Sequence, residues 1–322
     1  MRKASMLSPN STARTVRDLL ERCLWTEPGR LEASTVDEYR RMSRTRILPT
    51  MGHIHLHKLD ADTLEQFYDE MLEEGLSPRS CQKAHTILQG AFKRAIRWGW
   101  VDSSPMVGVK VPRGPAYRIQ PPTPETVRRL FDFADEDEQF GMGVAVRTAA
   151  LAGLRRGEML GLQVQDIKSV ELVVERAIAE IRDGGTVVKA PKSNQTRVVP
   201  VADFVAKILG EWATEAQARA AREGNTGPVW LFSPNAGHDR PWTPSAWSSR
   251  WRKVRMRAEA VDVRFHDLRH FYATELLDDG TPEATVSAML GHESIATLQK
   301  VYAHHVPATA RRAAQALGDR LL

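Results

Sequence analysis

Cysteine is nearly absent. Two among 322 residues cannot build a disulfide framework, and neither sits in a Cys/His spacing that would hold zinc. No uncharged apolar run approaches the ~18 residues that cross a membrane, and the N-terminus lacks the apolar core of a signal peptide. Secreted, membrane-spanning and metal-stapled classes are thereby excluded, and a cytoplasmic protein is expected. Nor is there a large excess of either charge: the net charge is +5, of which +4 falls in residues 1–115 and +1 in the rest. That balance, with a pI near 9.3, invites a polyanionic partner only weakly, although Arg250, Arg252, Lys253, Arg255 and Arg257 form a dense local cluster. What is present is ordinary for a globular chain. Hydrophobic residues make up 42% and charged residues 26%, too apolar for wholesale disorder.

The length suggests two domains. In the first third, Ser34 and Thr35 open a helical segment to Ile47 whose leading acids, Asp37 and Glu38, suit a helix N-terminus. Thr63–Leu72 carries Leu64, Phe67, Tyr68 and Met71 at helical spacing, with Gly75 as a stop. Ser77-Pro78 then starts a longer helix to about Trp98, and together these predict a small helical bundle over 1–112. Four prolines between Val109 and Pro122 mark a linker, assigned to 113–122, and Thr123-Pro124-Glu125 caps the first helix of a second domain, 123–322. That domain is read as mostly helical with one β interruption. Strands are predicted over 170–178 and 186–201 around an Asp183-Gly184-Gly185 turn, the second run divided by the Lys192 turn into 186–189 and 196–201, with helices from Thr243 onward.

Five segments of the second domain carry residues suited to phosphoryl transfer. They are Gly153-Leu154-Arg155 with Glu158, Lys192 in a hairpin turn, His266-Asp267-Leu268-Arg269-His270, Leu290-Gly291-His292, and Tyr302. Two guanidiniums can grip the non-bridging oxygens of a phosphodiester and hold the charge of a pentacoordinate state. A tyrosine can attack phosphorus and keep a covalent link, and a lysine can protonate the departing alkoxide. Spacing of i,i+3 places His266 and Arg269 on one helix face. Singly, each has a plain alternative: Arg155 as a surface ion-pair former, Lys192 as a solvated turn, His292 as a helix cap, Tyr302 as a core aromatic. Their joint order argues otherwise. Arg156 beside Arg155, and Lys189 near Lys192, leave a register question at two positions.

In this order and setting the chain resembles the phage integrase family of tyrosine recombinases, over roughly residues 14–306. The resemblance implies a mainly α protein with a small β-sheet, an α+β catalytic domain and an N-terminal helical bundle forming a two-domain clamp on duplex DNA. It makes Arg155 and Arg269 phosphate clamps, Tyr302 the nucleophile and Lys192 the general acid. His266 and His292 assist proton transfer and phosphate binding, and Glu158 buttresses Arg155. The basic row Arg79, Lys83, Lys93, Arg94 and Arg97 becomes a DNA-contact face. The reaction is cutting and rejoining through a 3′-phosphotyrosine, which needs no cofactor or metal, at attachment-type sites. Integration or excision of a mobile element is the role expected. A chromosome-dimer resolution recombinase and a type IB topoisomerase-like strand transferase are the alternatives; a non-catalytic DNA-binding regulator would leave the Arg155–Tyr302 set without a purpose. The arm-binding domain of larger members is not expected before the first helix. A monomer in solution becoming a homotetramer on DNA, with accessory DNA-bending proteins as further partners, completes the expectation.

Other features read plainly. His53, His55 and His57 lack a carboxylate or cysteine to complete a ligand set. Cys23 and Cys81 are expected as buried small hydrophobes, and Trp242, Trp247 and Trp251 as core. After Pro307 an alanine-rich segment carries Ala310, Ala313, Ala314 and Leu317 on one helical stripe.

Overall fold

The structure, a computed structural model, describes residues 14–28, 31–115, 120–137, 141–181, 185–191 and 196–291, with 294, 296, 298 and 299. Two compact units divide the chain, Met1–Tyr117 and Arg118–Leu322, and the division falls inside the proline-rich stretch. The fold is mainly α with small antiparallel sheets. No helix among the described residues is long and apolar enough to cross a membrane.

In the first unit, Thr15 caps α1 (Val16–Glu21): its hydroxyl accepts the Asp18 N–H at 3.3 Å, and the Asp18 carboxylate accepts the Thr15 N–H at 2.8 Å. Helix α2 (Ala33–Met42) begins before the expected Ser34-Thr35 start. Both residues lie inside its first turn, and Glu32 stands at the cap without a side-chain capping hydrogen bond. The chain continues through a π-type turn, Ser43–Ile47, into α3 (Leu48–Met51). Helix α4 (Ala61–Glu73) also starts early, because the Asp60 carboxylate accepts the Thr63 N–H at 2.9 Å and draws Ala61 and Asp62 into the helix. Helix α5 (Pro78–Arg97) follows its Ser77 cap as expected, after Gly75 at φ +81°. Leu19, Leu20, Met51, Leu64, Tyr68, Leu88 and Phe92 are fully buried between these helices. Cys23 and Cys81 are buried beside them, and burial pushes the Cys23 thiol up to about 11, so it stays protonated.

The second unit opens with α6 (Pro124–Asp135), capped by Thr123, then α7 (Met142–Ala152) and the short α8 (Arg156–Leu160). Strands stand where 186–189 and 196–201 were predicted, whereas the 170–178 run is split in two. Strands β1 (Ile167–Lys168), β2 (Glu171–Val174), β3 (Ala177–Ile181), β4 (Gly185–Lys189) and β5 (Arg197–Pro200) form two antiparallel sheets, β1-β2-β5 and β3-β4. The predicted 170–178 strand breaks at Glu175-Arg176 because Arg176 turns its guanidinium back onto buried Asp166. The β3–β4 pair closes Ile181 against Gly185, which holds φ +73°. Helix α9 (Asp203–Arg222), α10 (Pro244–Arg257), α11 (Asp267–Asp278) and α12 (Glu283–Leu290) complete the unit. Trp242, Trp247 and Trp251 are buried as expected. Trp247 and Trp251 meet Phe265 edge-to-face at 5.7 and 5.3 Å.

Helix α8 matters most for the site. Gly157 within it and Gly161 at its C-cap lie one turn apart, and a Cβ at either would meet a carbonyl oxygen, Ile178 O at 2.7 Å and Arg176 O at 2.8 Å. Two glycines thus let this helix rest directly on the backbone at the start of β3.

Candidate active site

Helix α7 ends at Gly153, which takes φ +63°; a Cβ there would meet Tyr272 Cδ1 at 2.4 Å. Only glycine fits a left-handed turn pressed against that ring. The turn delivers Arg155 to the N-terminus of α8 and Glu158 to its first turn. A second left-handed glycine, Gly291 at φ +65°, ends α12, with a would-be Cβ 2.9 Å from Arg197 Cδ. These two turns face one another across the site.

Glu158 is 1% exposed and its carboxylate is fully engaged. Oε2 accepts the Arg155 N–H at 3.0 Å and Arg197 Nη2 at 2.7 Å; Oε1 accepts Arg155 Nη1 at 2.7 Å and Arg197 Nη1 at 3.1 Å. Burial alone would raise its pKa, but Arg197 and then Arg155 overcome that and hold it down to about 2. Arg155 spends Nη2 on Gly291 O at 3.1 Å. Arg269, 3% exposed, donates to Gly153 O at 2.7 Å and Leu290 O at 2.6 Å. Both guanidiniums are therefore fixed by carbonyls of the two glycine turns, at distances typical of charge-assisted hydrogen bonds.

His266 stands one residue before α11 and is exposed, yet the protein packed around it, His270 and Arg269 lower its pKa to about 4, with a smaller push from Arg155. Its ring meets His270 edge-on at 4.8 Å, and burial takes His270 to about 4 as well. At neutral pH both rings are uncharged, so His266 is fit to accept a proton. Arg155, His266 and Arg269 are thus brought together, while Arg156 points elsewhere: its Nη1 donates to Ser248 Oγ at 2.5 Å. Lys189 ends β4. Lys192, His292 and Tyr302 lie outside the described residues. Tyr272, packed under Gly153, is buried with its pKa pushed up to about 12, which suits a packing role.

Sequence reasoning missed Arg197. It opens β5, reaches Glu158 with both Nη atoms, and donates Nε to Met289 O at 3.1 Å, so it ties the Glu158 segment to the end of α12 beside Leu290-Gly291. The available signal was Glu158 itself. A carboxylate just before the apolar Met159-Leu160 needs more cation than one neighbour supplies. In the first unit, the structure divides the basic row of α5. Arg79, Lys93 and Arg97 are exposed, whereas Lys83 pairs with Glu38 and half-buried Arg94 donates to Cys23 O at 3.1 Å and to Glu27 O. These last two serve the fold.

Residues 123–308 match the phage integrase family. A tyrosine recombinase XerC-like protein of Caldanaerobacter subterraneus subsp. tengcongensis is 26% identical over 283 residues, covering 80% of this chain and 70% of its own. The ICEBs1 integrase of Bacillus subtilis is 28% identical over 274 residues, covering 83% and 72%. Among solved structures, the Tn1549 transposon integrase in complex with transposon right end DNA superposes with a TM-score of 0.77 at 19% identity, over 95% of this chain and 100% of that one.

Proposed function

This chain belongs to the phage integrase family and is a tyrosine-type site-specific DNA recombinase, and from that membership we propose that it integrates or excises a mobile element at attachment-type sites, with Tyr302 as nucleophile. The observation that carries the reading is the pair of guanidiniums, Arg155 and Arg269, fixed on the Gly153 and Leu290-Gly291 carbonyls beside an uncharged His266. A phosphodiester placed there is held by two preorganised cations where negative charge develops. The Tyr302 oxygen bonds to phosphorus as the bond to the 5′ oxygen breaks. The tyrosyl proton passes to His266, and Lys192 protonates the leaving oxygen, with His292 on a phosphate oxygen. The phosphotyrosine retains the energy of the broken bond, so a 5′ hydroxyl of the partner duplex reverses the step without ATP.

Residues 1–112 act in this reading as a core-type DNA-binding domain, with Arg79, Lys93 and Arg97 toward phosphates, and 123–322 as the catalytic domain. Four protomers assemble on paired sites, assisted by DNA-bending proteins, from a monomer in the cytoplasm. The resolution of chromosome dimers would use the same residues on a different target; the likeness to the ICEBs1 integrase weighs toward the mobile element. The test is covalent capture. Full-length protein is incubated with sheared DNA of its source and denatured, and protein-linked duplexes are sequenced. Recovery of one junction sequence supports the reading; no linked DNA, or linkage without sequence preference, overturns it.

A further inference from the structure

Two arginines follow Gly153-Leu154 in immediate succession, and their guanidiniums part company. Arg155 turns to Glu158 and Gly291, while Arg156 reaches α10 at Ser248. There it walls a cleft of about 450 Å³ together with Ser248, Trp251, Arg252, Arg255 and His266. The volume lies in the range of ligand-sized sites and admits a phosphate with its sugar.

The charge in this cleft is uncompensated by design of the α10 helix. On one side of α10, Arg250 is paired with Asp137 and Arg257 with Glu136. Arg252 and Arg255, one turn apart on the side that also bears Ser248 and Trp251, have no acidic partner among the described residues. Arg252 is exposed, with no side-chain hydrogen bond among the described residues. Arg255 donates Nη1 to Val263 O at 3.3 Å, and its Nε is buried with no hydrogen-bond partner. Glu180, whose charge Arg156 feels, is already held by the Ser245 N–H at 2.9 Å and hydroxyl at 2.7 Å. Arg264 also borders the cleft, but Asp267 neutralises it at 2.8 Å. Three cations thus converge over a floor of buried Trp251 and Phe265. Such a group repels itself unless an anion enters, and planar guanidinium forks match phosphate oxygens.

His266 is common to this cleft and to the Arg155–Arg269 site, and Arg155 and Arg156 are consecutive residues whose guanidiniums diverge, one toward each. Two neighbouring phosphates of one strand can thus be met by side chains leaving a single turn of chain. We propose that the Arg156–Arg252–Arg255 cleft is a second phosphodiester subsite, which takes the backbone phosphate next to the scissile one. Consecutive arginines then hold consecutive phosphates, and the cleft sets which bond of the strand reaches Tyr302. The inference rests on the recombinase reading for the identity of the strand, but its charge argument is independent of sequence preference.

Two measurements test it on full-length protein. The first uses a random-sequence 30-base-pair duplex and needs no cognate site. Arg252→Gln and Arg156→Gln should each flatten the dependence of log affinity on log salt by about one phosphate contact, while Lys207→Gln, on exposed α9, leaves it unchanged. The second uses the captured junction duplex with a single uncharged methylphosphonate at each phosphate flanking the cleaved bond. Neutralising one flanking position should weaken wild-type binding by ~10–100-fold, and Arg252→Gln should be nearly insensitive at that same position. Unchanged salt slopes in both variants, or full methylphosphonate sensitivity retained by Arg252→Gln at every position, would overturn the subsite. Failure of wild-type protein to form any covalent adduct would instead count against the recombinase reading, and the first measurement would still decide the cleft.

Discussion

Glu158 shows how one buried carboxylate organises this site. Its four accepted hydrogen bonds come from only two residues, Arg155 and Arg197, so removing Arg197 leaves a buried charge half-compensated. Breaking a buried pair in this way costs about 3–5 kcal/mol. Arg197→Ala is therefore expected to lower the urea midpoint sharply, and Arg197→Lys, which keeps the charge but loses the fork, should fold yet cleave DNA ~100-fold more slowly because Arg155 is no longer held in place. Normal cleavage by the lysine variant would remove Arg197 from positioning. The same carboxylate has a pH signature. Its folded pKa of about 2 lies below the ordinary 4.5, so its stabilising contribution is present above 4.5 and is lost as pH falls from there toward 2. Urea midpoints measured from pH 6 downward should show this loss, and Glu158→Gln should remove it. His266 is shifted in the same direction. Its lowered pKa keeps the ring neutral at pH 7, and an NMR titration should show it charging near pH 4 in the free protein. A midpoint near 6.5 would show that the surrounding protein does not depress the ring as described.

At the scale of elements, placement of α8 decides where Arg155 and Glu158 stand. Gly157→Ala drives a Cβ against Ile178 O, which belongs to backbone and cannot swing away. A destabilisation of about 1–3 kcal/mol is expected, with slowed cleavage. Gly210→Ala in α9, where nothing lies within 4 Å, should instead stabilise by about 0.5–1 kcal/mol. Thermal unfolding of the two variants checks the pair of opposite signs. The helices α2, α4, α5 and α6 were legible from sequence because their signals are local. Ser77, Thr123 and Gly75 act within a few residues of where they stand. The strands were less so. Residues 170–178 read as one run, and the break at Arg176 is set by Asp166, a tertiary partner that no alternation pattern encodes. The site follows the same division. Gly-Leu-Arg, His-x-x-Arg and Leu-Gly-His could be read because they are contiguous, whereas Arg197 was hidden because its partner Glu158 lies 39 residues back in the chain. The choice between Arg155 and Arg156 likewise needed the third dimension, where each guanidinium has its own destination.

For the whole molecule, the proposal is a recombinase that becomes active only as an assembly. The alanine-rich segment after Pro307 begins close behind Tyr302, so its docking on a neighbouring protomer would couple assembly to the position of the nucleophile, and head-to-tail contacts of this kind close into rings when the rotation permits. Deletion of 308–322 should leave affinity for a single site nearly unchanged while reducing the tetrameric complex on paired sites, as read by sedimentation of protein–DNA mixtures; unaltered assembly and recombination would place those contacts elsewhere. Everything in this account converges on one oxygen. In the proposed reaction Arg155, Arg269 and His266 receive the phosphodiester and Tyr302 attacks it. The most direct measurement is denaturing electrophoresis of wild-type and Tyr302→Phe protein after incubation with the captured junction duplex. The account predicts a DNA-linked band for wild type and none for Tyr302→Phe, with binding affinity nearly equal, since one hydroxyl adds little to a phosphate-dominated interface. A covalent adduct formed by the phenylalanine variant would contradict it.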